Sequence, residues 1–157
     1  MANVNAIPPE YGSVTASITS KDTAKAIEYY KKALGAIERV RMQGPDGMIM
    51  HAEIQIGNSI IMMNDEVMGC RSAETLGGSP INFYVYVEDV DRAFQQATTA
   101  GCKETMPVAD MFWGDRTGAV LDPFGIRWSL ATHTKDLTPE EIQKGQEEFM
   151  KLMAGAK

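Results

Sequence analysis

The sequence predicts an α+β fold: one βαβββ unit used twice to build a cupped mixed sheet, followed by a C-terminal helix. Two observations predict it. Residues 12–35 read GSVTASITSKDTAKAIEYYKKALG, and residues 81–101 read INFYVYVEDVDRAFQQATTAG. Each is an alternating run, then an Asp, then an amphipathic helix pattern closed by Gly. The spacing is nearly constant as well. Asp22 and Asp89 are 67 residues apart, Gly35 and Gly101 are 66 apart, and Gly57 and Gly125 are 68 apart. A fixed offset across three landmarks marks an internal repeat.

The elements follow in order. Val14, Ala16 and Ile18 alternate with Thr15, Ser17 and Thr19, which is strand periodicity. Asp22 caps a helix over 23–34, and Gly35 stops it. Ile37 to Met42 reads as a strand, Gly44 to Gly47 as a turn, and Met48 to Ile56 as a third strand. Gly57-Asn58 forms a two-residue turn into Ser59 to Met63. The second unit gives a strand at Asn82 to Val87 and a helix at Asp89 to Ala100. Strands at Lys103 to Val108, Thr117 to Leu121 and Arg127 to Thr132 complete it, the last two joined by the turn Asp122-Pro123-Phe124-Gly125. A tail helix starts at Thr138, with Pro139 in its first position and Glu141 completing a capping box. One domain over 1–157 is expected: unit 13–64, joint 65–80, unit 81–133 and tail helix 138–154.

Composition narrows the function classes. A net charge of −6 argues against a nucleic-acid partner. No stretch approaches the roughly 18 apolar residues that span a membrane, so no membrane partner is expected. The first residues, MANVNAIPPEYG, have neither a basic nor an apolar leader region, and no signal peptide is expected. Cys70 and Cys102 make no disulfide framework and read as reduced thiols of a cytoplasmic protein.

Four segments carry a resemblance: SKDTAKAIEYYKKALGA at 20–36, HAEIQIGNSIIMMNDE at 51–66, YVEDVDRAFQQATTAGC at 86–102 and FWGDRTGAVLDPFGIRWSLATH at 112–133. Together the chain resembles the vicinal-oxygen-chelate superfamily of glyoxalase I, bleomycin resistance proteins and extradiol dioxygenases, most closely its PhnB-like branch. The resemblance implies a cup of sheet with helices outside and the site on the inner face. In metal-using members a divalent ion sits there on His and Glu side chains. The matching positions here are Thr15, Met62, Asn82 and Ser129. None is a donor that holds Zn, Ni, Mn or Fe well, since those ions need carboxylate, imidazole or thiolate ligands. No metal and no cofactor is therefore expected. His51 and Glu53 share a strand face, and with His133 they are an atypical alternative set.

On strand parity the cup would carry Thr15, Ser17 and Thr19 from the first unit. From the second it would carry Asn82, Tyr84, Tyr86, Arg127, Ser129 and Ala131. The opposite parity, from Val14 and Ile18 to Trp128 and Leu130, is apolar and belongs under the helices. The expected ligand-binding set is Thr15, Ser17, His51, Glu53, Met62, Asn82, Tyr84, Trp113, Arg116, Arg127 and Ser129. An arginine fork suits a carboxylate or phosphate, although Arg116 and Arg127 could equally pair with Asp115, Asp122 or Glu53. The Asp122–Gly125 turn reads as a turn and nothing more. The expectation is a homodimer that binds a small molecule in a metal-free cup. The alternative is an enzyme of the same superfamily, a lyase, isomerase or dioxygenase, with His51 or Glu53 as general base and a metal only if an atypical site exists.

Overall fold

The computed structural model describes residues 4–155, so the ends of the expected 1–157 domain lie outside the described residues. The first unit runs β1 (Ala16–Ser20), α1 (Thr23–Leu34), β2 (Ile37–Gln43), β3 (Ile49–Ile56) and β4 (Ser59–Asp65). The second runs β5 (Asn82–Tyr86), α3 (Val90–Thr99), β6 (Lys103–Asp110), β7 (Asp115–Leu121) and β8 (Arg127–His133). Each unit makes one four-stranded mixed sheet, in the orders β1-β4-β3-β2 and β5-β8-β7-β6. The repeat in the sequence is thus a repeat of topology: in both units the first strand pairs in parallel with the last.

The local signals work as their chemistry dictates. Asp22 accepts from the Lys25 N–H and Asp89 from the Arg92 N–H, so both helices carry the same side-chain cap. Gly35 closes α1 at φ 65, where a side chain would be strained. Gly57 turns the β3–β4 hairpin, and Glu53 falls opposite Met62. The joint holds one element that periodicity does not reveal. α2 (Ala73–Leu76) is a single turn capped by Ser72, and Glu66 accepts from both the Ser72 N–H and its hydroxyl.

Apolar side chains from both units meet in one core on the helix side of the sheets. Ile18, Ile54, Met63, Trp128 and Leu130 are buried there with Ala26, Ile27 and Tyr30 of α1 and Ala97 of α3. Val14 departs from its expected place in this core: β1 begins only at Ala16, and Val14 is left almost fully exposed.

Asp122 ties the units together. Its carboxylate is buried at the β7–β8 turn and accepts from the Tyr30 hydroxyl at 2.8 Å and the Trp128 indole N–H at 2.8 Å. The Phe124 and Ile126 N–H groups add bonds of 2.9 Å each. Tyr30 belongs to the first unit and the other three donors to the second. The rings of Tyr29, Tyr30, Phe124 and Trp128 pack edge to face around it at 5.4–5.8 Å. The turn is therefore an anchor, which corrects the plainer reading of the sequence. Burial pushes the Asp122 carboxyl up, against the pull of its four donors.

The tail helix is α4 (Pro139–Gly155), and its capping box forms as expected. The Thr138 N–H donates to Glu141 at 2.8 Å and the Glu141 N–H to the Thr138 hydroxyl at 3.3 Å. Gly145 lets the helix approach Phe112, where a Cβ would come within 2.8 Å of the Phe112 Cβ. Phe149 then packs on Phe112 with ring centroids 5.6 Å apart. Beyond that contact the apolar stripe is uncovered in one chain: Leu152 and Met153 are exposed.

Asp122→Ala is expected to destabilise the protein by on the order of 3–5 kcal/mol, because four buried donors lose their acceptor. Tyr30→Phe removes one donor and is expected to cost about 1–2 kcal/mol. Urea unfolding at one fixed protein concentration measures both, and an Asp122→Ala midpoint close to wild type contradicts the anchoring role.

Candidate functional site

On each sheet the face turned away from the helices carries the polar residues, and each unit gathers its own into a separate cluster. In the first unit Glu53 is buried on the middle of β3, with His51 two residues before it on the same face. Tyr11, in the segment leading to β1, donates its hydroxyl to Glu53 Oε1 at 2.6 Å. His51 Nε2 lies 3.1 Å from the same oxygen. The Tyr11 and His51 bonds hold the Glu53 carboxyl below its usual range, so it stays an anion. The segment itself is clamped by Arg39, which donates to Glu10 at 2.8 Å. Beside this cluster a cavity of about 510 Å³ is lined by Ile7, Pro8, Tyr11, Thr15 and Met62.

The second cluster is built on Asp115, at the start of β7 and only 3% exposed. Its Oδ2 accepts from the Tyr84 hydroxyl at 3.0 Å, the Tyr86 hydroxyl at 3.0 Å and the Trp113 indole N–H at 3.2 Å. His133 Nδ1 lies 2.8 Å from Oδ1, and His133 Nε2 lies 3.0 Å from Asp136. Two ring nitrogens facing two carboxylates are both satisfied only when both carry a proton, which is the imidazolium form. The bond to Asp115, then the bond to Asp136, raises the His133 pKa accordingly. Burial pushes the Asp115 carboxyl up, but the bonds from His133, Tyr84, Tyr86 and Trp113 outweigh it and hold it low.

The residues singled out from sequence fall as follows. Thr15 and Met62 line one cavity, and Ser17 is exposed at the edge of β1. His51 and Glu53 are bonded to each other. Asn82 donates to Ser129 at 3.1 Å, and Arg127 is exposed at the start of β8. Tyr84 and Trp113 meet on Asp115. Arg116 stands on the opposite face. One residue after Asp115, it points to α3 and is held by Asp91 at 2.7 Å and Asp110 at 3.2 Å. Strand alternation makes that placement unavoidable once Asp115 faces the cup. Tyr11, Asp115 and, as a partner of Asp115, His133 were not among the expected site residues. The parity of Asp115 with Thr117 and Ala119 was readable. The long-range bond of Tyr11 to Glu53 had no local signal.

Of the four positions that the family resemblance matches to metal ligands, Thr15 and Met62 line one cavity and Asn82 donates to Ser129. Two hydroxyls, a thioether and an amide do not make a transition-metal site. Among the described residues of one chain, no three His, Cys, Asp or Glu side chains are placed to hold a metal ion. Nor does one chain bring the clusters together, since the cavity beside Met62 takes no residue from the second unit. A larger cleft of about 810 Å³ separates the unpaired edges of β1 and β5. It is walled mainly by apolar positions such as Ala16, Leu34, Ile61, Phe83 and Val85, and it reaches neither Glu53 nor Asp115. Tyr84 and Tyr86 also line it, but the carboxylates on which the polar groups are anchored do not, and we read it as the seam between the units.

Residues 12–130 match the family model described as the Glyoxalase/Bleomycin resistance protein/Dioxygenase superfamily. An uncharacterized protein of Mycobacterium tuberculosis is 42% identical over 127 residues, covering 78% of this chain and 75% of that protein. Among solved structures, TioX from Micromonospora sp. ML1 aligns with a TM-score of 0.63 and 27% identity, over 78% of this chain and 99% of that one. A PhnB protein from Bacillus cereus shares the fold, with a TM-score of 0.61 and 16% identity over 77% of this chain and 99% of that one. Among the described residues no helix is long and apolar enough to cross a membrane.

The His133 bonds have a pH signature. Because the folded pKa is raised, their stabilisation is complete below the unfolded value of about 6.5 and is lost as pH rises through the folded value. The Asp115 pKa is lowered, so its contribution persists down to its own depressed value. The Tm difference between wild type and His133→Gln is therefore expected to be largest near pH 5–6 and to shrink above. A difference that does not vary between pH 5 and 9 contradicts this.

Proposed function

Because the chain belongs to the Glyoxalase/Bleomycin resistance protein/Dioxygenase superfamily, we propose that it binds a small organic molecule in a metal-free cup completed between two copies of the chain. One observation carries the reading. Each half-cup is lined by polar groups anchored on a buried carboxylate, Glu53 or Asp115, and each is left open in the single chain. A sheet face that serves only as core does not collect such groups, because burying them costs free energy unless each is bonded. The ligand-facing set would be Thr15, Ser17, His51, Glu53 and Met62 of one copy, with Asn82, Tyr84, Trp113, Arg127 and Ser129 of the other. Arg116 drops out, as its guanidinium is committed to Asp91 and Asp110.

A homodimer is supported by what one chain leaves uncovered. Met42 and Met50 are exposed on the first sheet, and Leu152 and Met153 on α4. Large apolar side chains left exposed in one chain are what a partner copy would cover. Cys70 and Cys102 are unpaired, which supports a reducing, cytoplasmic setting. An enzyme using Glu53 as base has less support, since the bonds from Tyr11 and His51 hold its pKa below the usual range and make it a weaker base.

Light scattering on the eluted protein is expected to give the mass of a dimer. A thermal-shift screen of organic compounds is expected to find ligands that raise Tm by several degrees at about 100-fold above Kd. The shift should be equal with a chelator and with added Zn, Ni, Mn or Fe. A shift that requires metal, or a library in which nothing stabilises the protein, sinks the proposal.

A further inference from the structure

We propose that the second half of the cup carries a subsite for an organic cation without N–H groups, such as a trimethylammonium, an N-alkylpyridinium or a sulfonium. Tyr84, Tyr86 and Trp113 wall it over the buried Asp115. This deepens the cup-binding reading and rests on it.

The sheet register builds the subsite. Tyr84 is in register with Ser129 and then Ala119, and Tyr86 with Ala131 and then Thr117. These neighbours are small, so both tyrosine side chains can cross β8 and reach Asp115 on β7. The two hydroxyls and the Trp113 N–H all end on one oxygen, Asp115 Oδ2. With their polar tips turned inward, the rings present mainly π surface to the cup. The Tyr84 and Tyr86 centroids are 5.3 Å apart with planes at 58°, which forms a corner. Tyr84 is 43% exposed, Tyr86 62% and Trp113 36%. A lone exposed aromatic is ordinary, but three tied to one buried anion form a patch with a chemistry of its own.

That chemistry favours cations. An aromatic face is negative and attracts a cation within about 6 Å of its centre. A phenol that donates to a carboxylate gains electron density, which strengthens the attraction. Asp115 and Asp136 flank the single imidazole of His133, so the cluster is net negative in either state of that ring. The choice among cations follows from saturation. Asp115 already accepts from four donors, which uses about all the acceptor capacity of a carboxylate. A primary ammonium entering over the rings sheds strongly held water, finds Asp115 Oδ2 taken by three donors and Oδ1 by His133, and meets beyond them only the solvated Asp136. A quaternary ammonium has no N–H to satisfy and loses little on desolvation.

Calorimetry and tryptophan fluorescence on the intact protein test this with three probes: choline chloride, its neutral isostere 3,3-dimethyl-1-butanol, and ethanolamine. Trp128 is fully buried, so the fluorescence response reports on Trp113. Saturable binding of choline is expected, with the other two probes about ten-fold weaker or worse. Trp113→Leu and Tyr86→Leu should each weaken choline by about ten-fold. Tyr86→Phe keeps the ring, and its Kd should stay within about three-fold of wild type. Tyr86 is the more exposed residue, so its variants remain informative if Trp113→Leu fails to fold. Equal binding of the neutral isostere overturns the subsite. So does absence of choline binding when the organic screen still yields a ligand, a result that leaves the cup reading intact. A screen without any ligand overturns both.

Discussion

The arrangement of this protein depends on the buried carboxylate of Asp122. The two sheets share no strand pairing, so something other than backbone ladders must register them. Asp122 does this by drawing Tyr30 from α1 of the first unit and Trp128 from β8 of the second onto one oxygen. The aromatic packing of Tyr29, Tyr30, Phe124 and Trp128 then surrounds that oxygen and excludes water from it. Hydrophobic burial supplies most of the driving force, but it is non-directional. The hydrogen bonds at Asp122 set the geometry, because leaving any of the four donors unpaired in that core is costly. With the helix sides joined in this way, the opposite faces of both sheets are turned outward as two half-cups.

The two half-cups share a topology and differ in chemistry. In each, an acidic residue inside the sheet accepts from a tyrosine and meets a histidine. Glu53 takes Tyr11 and His51, whereas Asp115 takes Tyr84, Tyr86, Trp113 and His133. The first cluster borrows its tyrosine from the segment before β1 and sits beside an apolar cavity. The second is assembled entirely within its own unit and presents aromatic rings. A duplicated unit has thus kept the strands that aim side chains inward while its residues have diverged. At the positions that the family resemblance matches to metal ligands stand Thr15, Met62, Asn82 and Ser129, side chains that hold transition metals poorly.

Much of the fold and part of the site were legible before any coordinates. The caps at Asp22 and Asp89, the Gly57-Asn58 hairpin and the Thr138 capping box are local devices, and each formed where its residues stand. The cup parity of Glu53, Asn82, Tyr84 and Ser129 followed from period-two alternation. Arg116 and Val14 show the limits of that logic. Alternation is reliable only once one residue of a strand is tied to a face, and only inside the strand. Arg116 lies one step from Asp115, and Val14 lies two residues before β1 begins. α2 escaped notice because a one-turn helix has no periodicity to read.

The sequence by itself determined the doubled βαβββ layout, the element order and the polar parity of the cup. These are all encoded in neighbours a few residues apart or in a fixed offset. Only the tertiary structure decided that Asp122 is an anchor and not merely a turn, that Tyr11 closes on Glu53, and that three aromatic residues converge on Asp115. Those contacts join Tyr11 to Glu53 across 42 positions and Tyr30 to Asp122 across 92. Their partners are chosen by how the sheets and helices pack, and no local pattern records that choice.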